Sequence, residues 1–166
     1  MRVLPAIFLI AVVLVAAATK TLATIAYPPL YHALQFFPAK LAGILSGESY
    51  SEQQGIYRFT TFVLDYSCAG VNFLLLCLAA GAWLLRNRVK TCMQLTAMTA
   101  FLVPAALFAT NVANAFRIGL SLRLMHISER HAWLHEAIGT IVFILFLLVY
   151  YQILLRFSND KTRPTT

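Results

Sequence analysis

Residues 61–90 read TFVLDYSCAGVNFLLLCLAAGAWLLRNRVK, and this stretch decides the fold. Its first part, 61–85, carries a single charge, Asp65, and closes on a basic turn of Arg86, Arg88 and Lys90. A helix needs about 20 apolar residues to cross a hydrocarbon core of roughly 30 Å, so 61–85 is long enough to span a bilayer.

Three more blocks of this kind lie on either side. Residues 92–116 form the next span, with Pro104 predicting a kink near its middle. Residues 135–155 form the last. On the N-terminal side, 3–27 is apolar apart from Lys20, which can snorkel, and Pro28-Pro29 stops it. Arg2, the apolar run and Ala16-Ala17-Ala18 also fit a cleaved signal peptide. The uncleaved reading is preferred because the apolar character continues past the small residues. In 30–46 the residues Leu30, Leu34, Phe37, Leu41, Ile44 and Leu45 follow a helical period. That block is too short to span and is interrupted by Pro38 and Lys40, which predicts a helix lying in the membrane interface. Residues 46–60 and 117–134 read as polar loops. The expected fold is therefore all-α: a polytopic transmembrane helix bundle of about four spans plus an interfacial helix, one integral membrane domain over 1–166.

Composition agrees. Of the 166 residues 60% are hydrophobic and 11% charged, against about 25% charged in a soluble domain, so there is no polar shell for a water-soluble core. The net charge of +7 does not point to nucleic acid, because no stacking aromatics are interleaved with a basic run. Basic residues instead orient membrane helices and favour anionic lipid surfaces. Cys68, Cys77 and Cys92 form no C-x-x-C pair, so neither a zinc site nor a disulfide framework is indicated, and no metal or cofactor is expected. With four spans, Arg2, the 86–90 turn and the basic tail (Arg156, Lys161, Arg163) share one side, which the positive-inside rule makes cytoplasmic. Lys20, Lys40, Arg58, Arg117, Arg123 and Arg130 fall on the other side, but so do Glu48, Glu52, Asp65, Glu129 and Glu136.

The unusual polar residues then gather at one depth. Cys68 lies near the outer end of the second span, Arg117 ends the third and His135 opens the fourth. Asp65 and Asn72 stand at i−3 and i+4 from Cys68, and Asn114 stands three residues before Arg117, on matching helix faces. Gly70 and Gly139 allow close helix approach. Polar groups at membrane depth are costly and usually face the bundle interior or a wet cavity. A thiol, a guanidinium and an imidazole together make a minimal acyl-transfer set: a thiolate nucleophile, a cation for developing negative charge, and a proton shuttle. Each has a plainer reading. Cys77 and Cys92 are expected to be small packing residues, and an Arg at a span end commonly snorkels. His126, His131 and Glu129 are expected to decorate the outer loop, and His32 the interface.

Three local motifs sharpen the choice. Ser67-Cys68-Ala69-Gly70 resembles the Cys-Ser/Thr/Ala-Gly element of exosortases and archaeosortases. Asn114-Ala115-Phe116-Arg117-Ile118 is similar to that family's Asn-x-x-Arg-Ile element, and His135-Glu136-Ala137-Ile138-Gly139 to its His-x-x-x-Gly element. The order matches as well, over roughly residues 60–140. The family consists of multi-span membrane transpeptidases that process C-terminal sorting signals. The resemblance implies Cys68 as nucleophile, Arg117 as stabiliser of the thiolate or transition state, and His135 as acid–base partner. It implies a thioester intermediate, no cofactor, and substrates that are exported proteins with a short motif, a transmembrane helix and a basic tail. The acceptor is left open between lipid and polysaccharide. Many relatives have about eight spans, so this chain resembles the short forms, such as the exosortase K type. Many relatives also carry an acid nearer the cysteine, which leaves the role of Asp65 open.

Two other classes compete. A non-catalytic membrane assembly or transport subunit needs none of this chemistry. A haem-binding subunit needs histidines inside facing helices, and the third span has none.

Overall fold

In the computed structural model the chain is a helical bundle with one small sheet. Residues 3–25, 27–124 and 132–160 are described, without the side chains of residues 132, 134, 135 and 158–160. Of the expected 117–134 loop, 125–131 are not described, so His126, Glu129, Arg130 and His131 lie outside the described residues, as do Arg2, Lys161 and Arg163. The elements are α1 (Val3–Thr24), α2 (Pro28–Ser46), β1 (Ser51–Gln53), β2 (Ile56–Arg58), β3 (Val63–Leu64), α3 (Val71–Leu85), α4 (Cys92–Arg123) and α5 (Ala132–Asp160). Short 3₁₀ turns, Tyr66–Ala69 and Arg86–Arg88, flank α3. Among the described residues four segments are long and apolar enough to cross a membrane: Val3–Thr24, Tyr66–Arg88, Cys92–Arg123 and Glu136–Phe157. The chain is a polytopic transmembrane helix bundle.

The spans pack through a core of Phe8 and Val12 from α1, Phe73, Leu74, Cys77, Leu78 and Ala82 from α3, Leu102 and Ala106 from α4, and Tyr150 and Leu154 from α5. Among lipid-like surfaces there is no hydrophobic drive between helices, so close contact depends on small residues. Gly81 is the tightest: a Cβ there would sit 2.2 Å from Leu102 Cδ1 and 3.0 Å from the Tyr150 hydroxyl. Outward-facing side chains are large and apolar, among them Val13, Leu14, Phe108, Ile144, Leu148 and Ile153, as a lipid-facing surface requires.

The second span differs from expectation. The apolar run 61–85 is not one helix. Val63–Leu64 pairs with β2, the 3₁₀ turn follows, and Gly70 breaks the backbone at φ 69° before α3 begins at Val71. Cys68 therefore lies in the second span, but in the 3₁₀ turn at its end and not in α3 itself. Asp65 and Asn72 do not share a helix face with it. The third span also runs on past residue 116 to Arg123, so Arg117 lies well inside α4 and does not end it.

The 46–60 segment is not an open loop. β1 and β2 form a hairpin and β3 adds a third antiparallel strand, with Glu52 paired to Tyr57 and Tyr57 to Leu64. The helix expected over 30–46 is present as α2, with Pro28 and Pro29 in its first turn, where missing N–H groups cost nothing. It follows the second half of α4. Asn111 Nδ2 donates to the Ala33 carbonyl at 3.3 Å, and further along Leu45 packs on Gly119. Ala39, Ala42, Tyr57, Phe59, Leu64 and Ile118 form a second small core between α2, the sheet and α4. The bundle thus has two unlike ends: a sheet end, capped by α2 and the strands, and a turn end, at Arg86–Arg88.

Candidate active site at the sheet end of the bundle

Non-helical backbone next to a membrane needs partners for its carbonyls. In the 65–70 turn those partners are buried amides and a guanidinium. Asp65 caps the turn: its carboxylate accepts from Ser67 N at 2.9 Å and from Ser67 Oγ at 2.5 Å. Its carbonyl accepts from Cys68 N at 3.0 Å and from Gln35 Nε2 at 2.7 Å. The Cys68 carbonyl accepts from Asn114 Nδ2 at 2.6 Å and from Arg117 Nη2 at 3.4 Å. Gln35 and Asn114 are fully buried. The turn is thus held from α2 on one side and from α4 on the other.

Gly70 lets the turn come this close. Its left-handed backbone favours glycine, and a Cβ would meet Thr110 Cγ2 at 3.4 Å and Asn114 Cγ at 3.8 Å. Gly139 plays the matching part on α5, where a Cβ would lie 3.3 Å from Arg117 Cδ. The guanidinium carbon stands 5.4 Å from the centre of the Phe143 ring, one turn further along α5. The three motifs of the sequence therefore meet: the cysteine turn, the Asn114–Arg117 face of α4, and the first turns of α5.

The expected site residues are placed as follows. Cys68, Asn114 and Arg117 come together, with Arg117 and Asn114 directed at the Cys68 main-chain carbonyl. The Cys68 side chain is half-buried against the second core, with Ser67 Oγ at 3.9 Å from its sulfur. Asp65 turns to Ser67 and not toward Arg117. Asn72 accepts from Lys20 Nζ of α1 at 3.1 Å. His135 stands in the first turn of α5, one helical turn before Gly139; its side chain lies outside the described residues. Cys77 is buried in the main core and Cys92 is exposed at the start of α4. Gln35 is the residue that sequence reasoning missed. Its only signal is an amide on the face of α2 otherwise formed by Leu34, Pro38, Ala39 and Ala42. Among the described residues no three His, Cys, Asp or Glu side chains cluster as metal ligands.

Beside the turn a cleft of about 460 Å³ opens between α1, α3 and α5, lined by Lys20, Thr24, Tyr66, Ser67, Asn72, Arg117 and Phe143 among others. Fold and geometry together define a multi-pass membrane protein with a cysteine turn anchored by an Asn–Arg pair beside a polar cleft. Compared with known proteins, the chain matches no family model, no curated protein and no solved structure.

Proposed function

We propose that the chain is an exosortase-like cysteine transpeptidase or peptidase of the cytoplasmic membrane. It cleaves C-terminal sorting signals of exported proteins and passes the acyl group to an acceptor. The observation that carries the reading is the meeting of the three resembling motifs at one place, with Asn114 and Arg117 both hydrogen-bonded to the Cys68 carbonyl. The basic turn and tail face the cytoplasm in this reading, and the sheet end is the outer, periplasmic side.

The Cys68 thiolate attacks the scissile carbonyl, and the Arg117 guanidinium offers directed donors to the negative charge that develops. His135 takes the thiol proton and returns it to the leaving amine, leaving a thioester on Cys68. An acceptor nucleophile, or water, then attacks the thioester and regenerates the thiol. The close approach of Gly139 to the Arg117 side chain supports a guanidinium held in place and not one free to snorkel.

The test is processing of a substrate with a C-terminal motif, transmembrane helix and basic tail, read as a size change on a gel. Cys68→Ala is expected to abolish processing at normal abundance, while Cys77→Ala and Cys92→Ala retain it. Full processing by Cys68→Ala would rule the nucleophile out. A second reading, a non-catalytic assembly or transport subunit, is favoured by one observation: Arg117 contacts the cysteine's main chain and not its sulfur. A thiol-directed activity probe that labels Cys68 no faster than Cys92 supports that alternative.

A further inference from the structure

The cleft beside the cysteine turn has an unusual supply of donors. The Thr24 hydroxyl donates to the Lys20 carbonyl at 2.9 Å, the Tyr31 hydroxyl to Ala23 at 2.8 Å, the Tyr66 hydroxyl to Gln54 at 3.1 Å, and Ser67 to Asp65 at 2.5 Å. Among the described lining side chains, the donors left for a ligand are those of Lys20, Asn72 and Arg117. Two are cations, and no lining residue is acidic. Lys20 is also the only charged residue in α1, and its ammonium turns toward α3 to reach Asn72, a neutral partner. A cavity whose spare donors are mostly cationic selects an anion with several acceptor oxygens.

Position narrows the class. Lys20 is 17 residues beyond Val3, about 26 Å along α1 at 1.5 Å per residue, near the far edge of a hydrocarbon core of about 30 Å. That is headgroup depth. Below the cations the wall passes to Leu76, 54% exposed on the lipid-facing side of α3. A ligand with an anionic head and an apolar tail meets both parts of the wall.

We propose that the cleft between α1 and α3 is a binding site for the phosphate of a membrane phospholipid in the leaflet at the sheet end, with Lys20 and Arg117 holding the phosphate and the acyl chain lying past Leu76. The site does not depend on Cys68 being a nucleophile. The test is native mass spectrometry of the full chain released from micelles, titrated with phosphatidylglycerol or with diacylglycerol of the same acyl chains. The expected result is one retained phosphatidylglycerol and about tenfold weaker retention of diacylglycerol, since a tenfold ratio is the scale of one charge-assisted contact. Lys20→Gln is expected to lose about the same factor, while Lys20→Arg, Lys40→Gln and Cys68→Ala retain the lipid. Lys20→Arg also controls for folding, because it keeps the charge in place. Equal retention by wild type and Lys20→Gln, or equal retention of diacylglycerol, overturns the site. Displacement by millimolar inorganic phosphate assigns it to soluble phosphate, and displacement by a carboxylate-bearing peptide assigns it to a peptide; either outcome overturns the lipid.

Discussion

Arg117 reaches from the middle of an α4 turn to the main-chain carbonyl of Cys68, 49 residues earlier in the chain, with 3.4 Å between Nη2 and the oxygen. A snorkelling arginine points to water. This one is turned inward, flanked by Phe143, with its Nε buried and without a partner among the described residues. If the guanidinium's fork is what matters, Arg117→Lys should lower processing by about 10²–10³, the usual effect of removing one donor to a developing oxyanion. Arg123→Lys serves as the control. The measurement is rate per unit of correctly inserted protein, and a near-normal rate for Arg117→Lys returns the residue to an anchoring role.

Gly139 should be tolerant of one carbon and intolerant of four. A Cβ at this position would approach Arg117 Cδ, a flexible methylene, at 3.3 Å, so Gly139→Ala needs a shift of a few tenths of an ångström. Gly139→Leu must push the guanidinium away from the Cys68 carbonyl. Its processing rate should fall as that of Arg117→Lys does, with a lower unfolding midpoint from overpacking a buried position, while Gly139→Ala keeps both near wild type. Equal rates for Gly139→Leu and wild type would show that Arg117 need not be held there.

Asn114→Leu tests the anchoring of the turn. Asn114 is fully buried and its amide donates to Cys68 at 2.6 Å, so the substitution leaves that carbonyl with Arg117 alone. A buried polar group deprived of its partner costs about 1–3 kcal/mol, which should appear as a lower unfolding midpoint in detergent. Gln35→Leu, which strips the Asp65 carbonyl, should cost a similar amount. The two losses should fall short of additive, because both amides hold one turn.

Glu48 supplies a pH dependence. The Thr61 hydroxyl above all, with the N–H groups of Thr61 and Thr60, holds its carboxyl below the ordinary carboxylate range, against some opposing desolvation. A depressed value means that the clamp between the end of α2 and the β2–β3 turn is intact above the ordinary Glu range and is released as pH falls through the lowered value. Protection of the Thr60 and Thr61 amides, taken relative to the intrinsic exchange rate at each pH, should be high at pH 7 and fall as the pH is lowered below the ordinary Glu range. Glu48→Gln should show little protection throughout.

Orientation can be read directly. A cysteine placed at Arg88, with Cys68, Cys77 and Cys92 all replaced, should resist a membrane-impermeant thiol reagent in intact cells, while one at Gly47 should react. Labelling at position 88 from outside inverts the topology and takes the site to the wrong face.

The four spans were legible because their apolar runs are each as long as the hydrocarbon core is thick. Their ends were not, because single residues decide them. Phe62, Val63, Leu64 and Tyr66 look continuous with α3 in a hydropathy reading, yet Asp65 capping Ser67 and Gly70 in the left-handed region cut the run. The hairpin was hidden for a similar reason. Its turn is Gln54-Gly55, both at positive φ, where an Asn-Gly pair would have announced it. The convergence of Cys68, Asn114 and Arg117 was visible as a shared depth, but the form it takes was not. Sequence spacing suggested side chain facing side chain, whereas the polar groups of α4 are engaged by the exposed backbone of the turn.

The length of α4 carries a last consequence. Its 32 residues extend about 48 Å, well beyond a hydrocarbon core of about 30 Å, and Arg117 lies about 37 Å from Cys92. α3, with 15 residues, is only about 22 Å long. The cysteine turn and the Asn114–Arg117 face of α4 meet at one level, so the site stands at the end of the short span and about 9 Å short of the end of α4. A bilayer thicker than the Tyr66–Arg88 span would submerge the Cys68 carbonyl, and a thinner one would leave it open to water and to polar reactants.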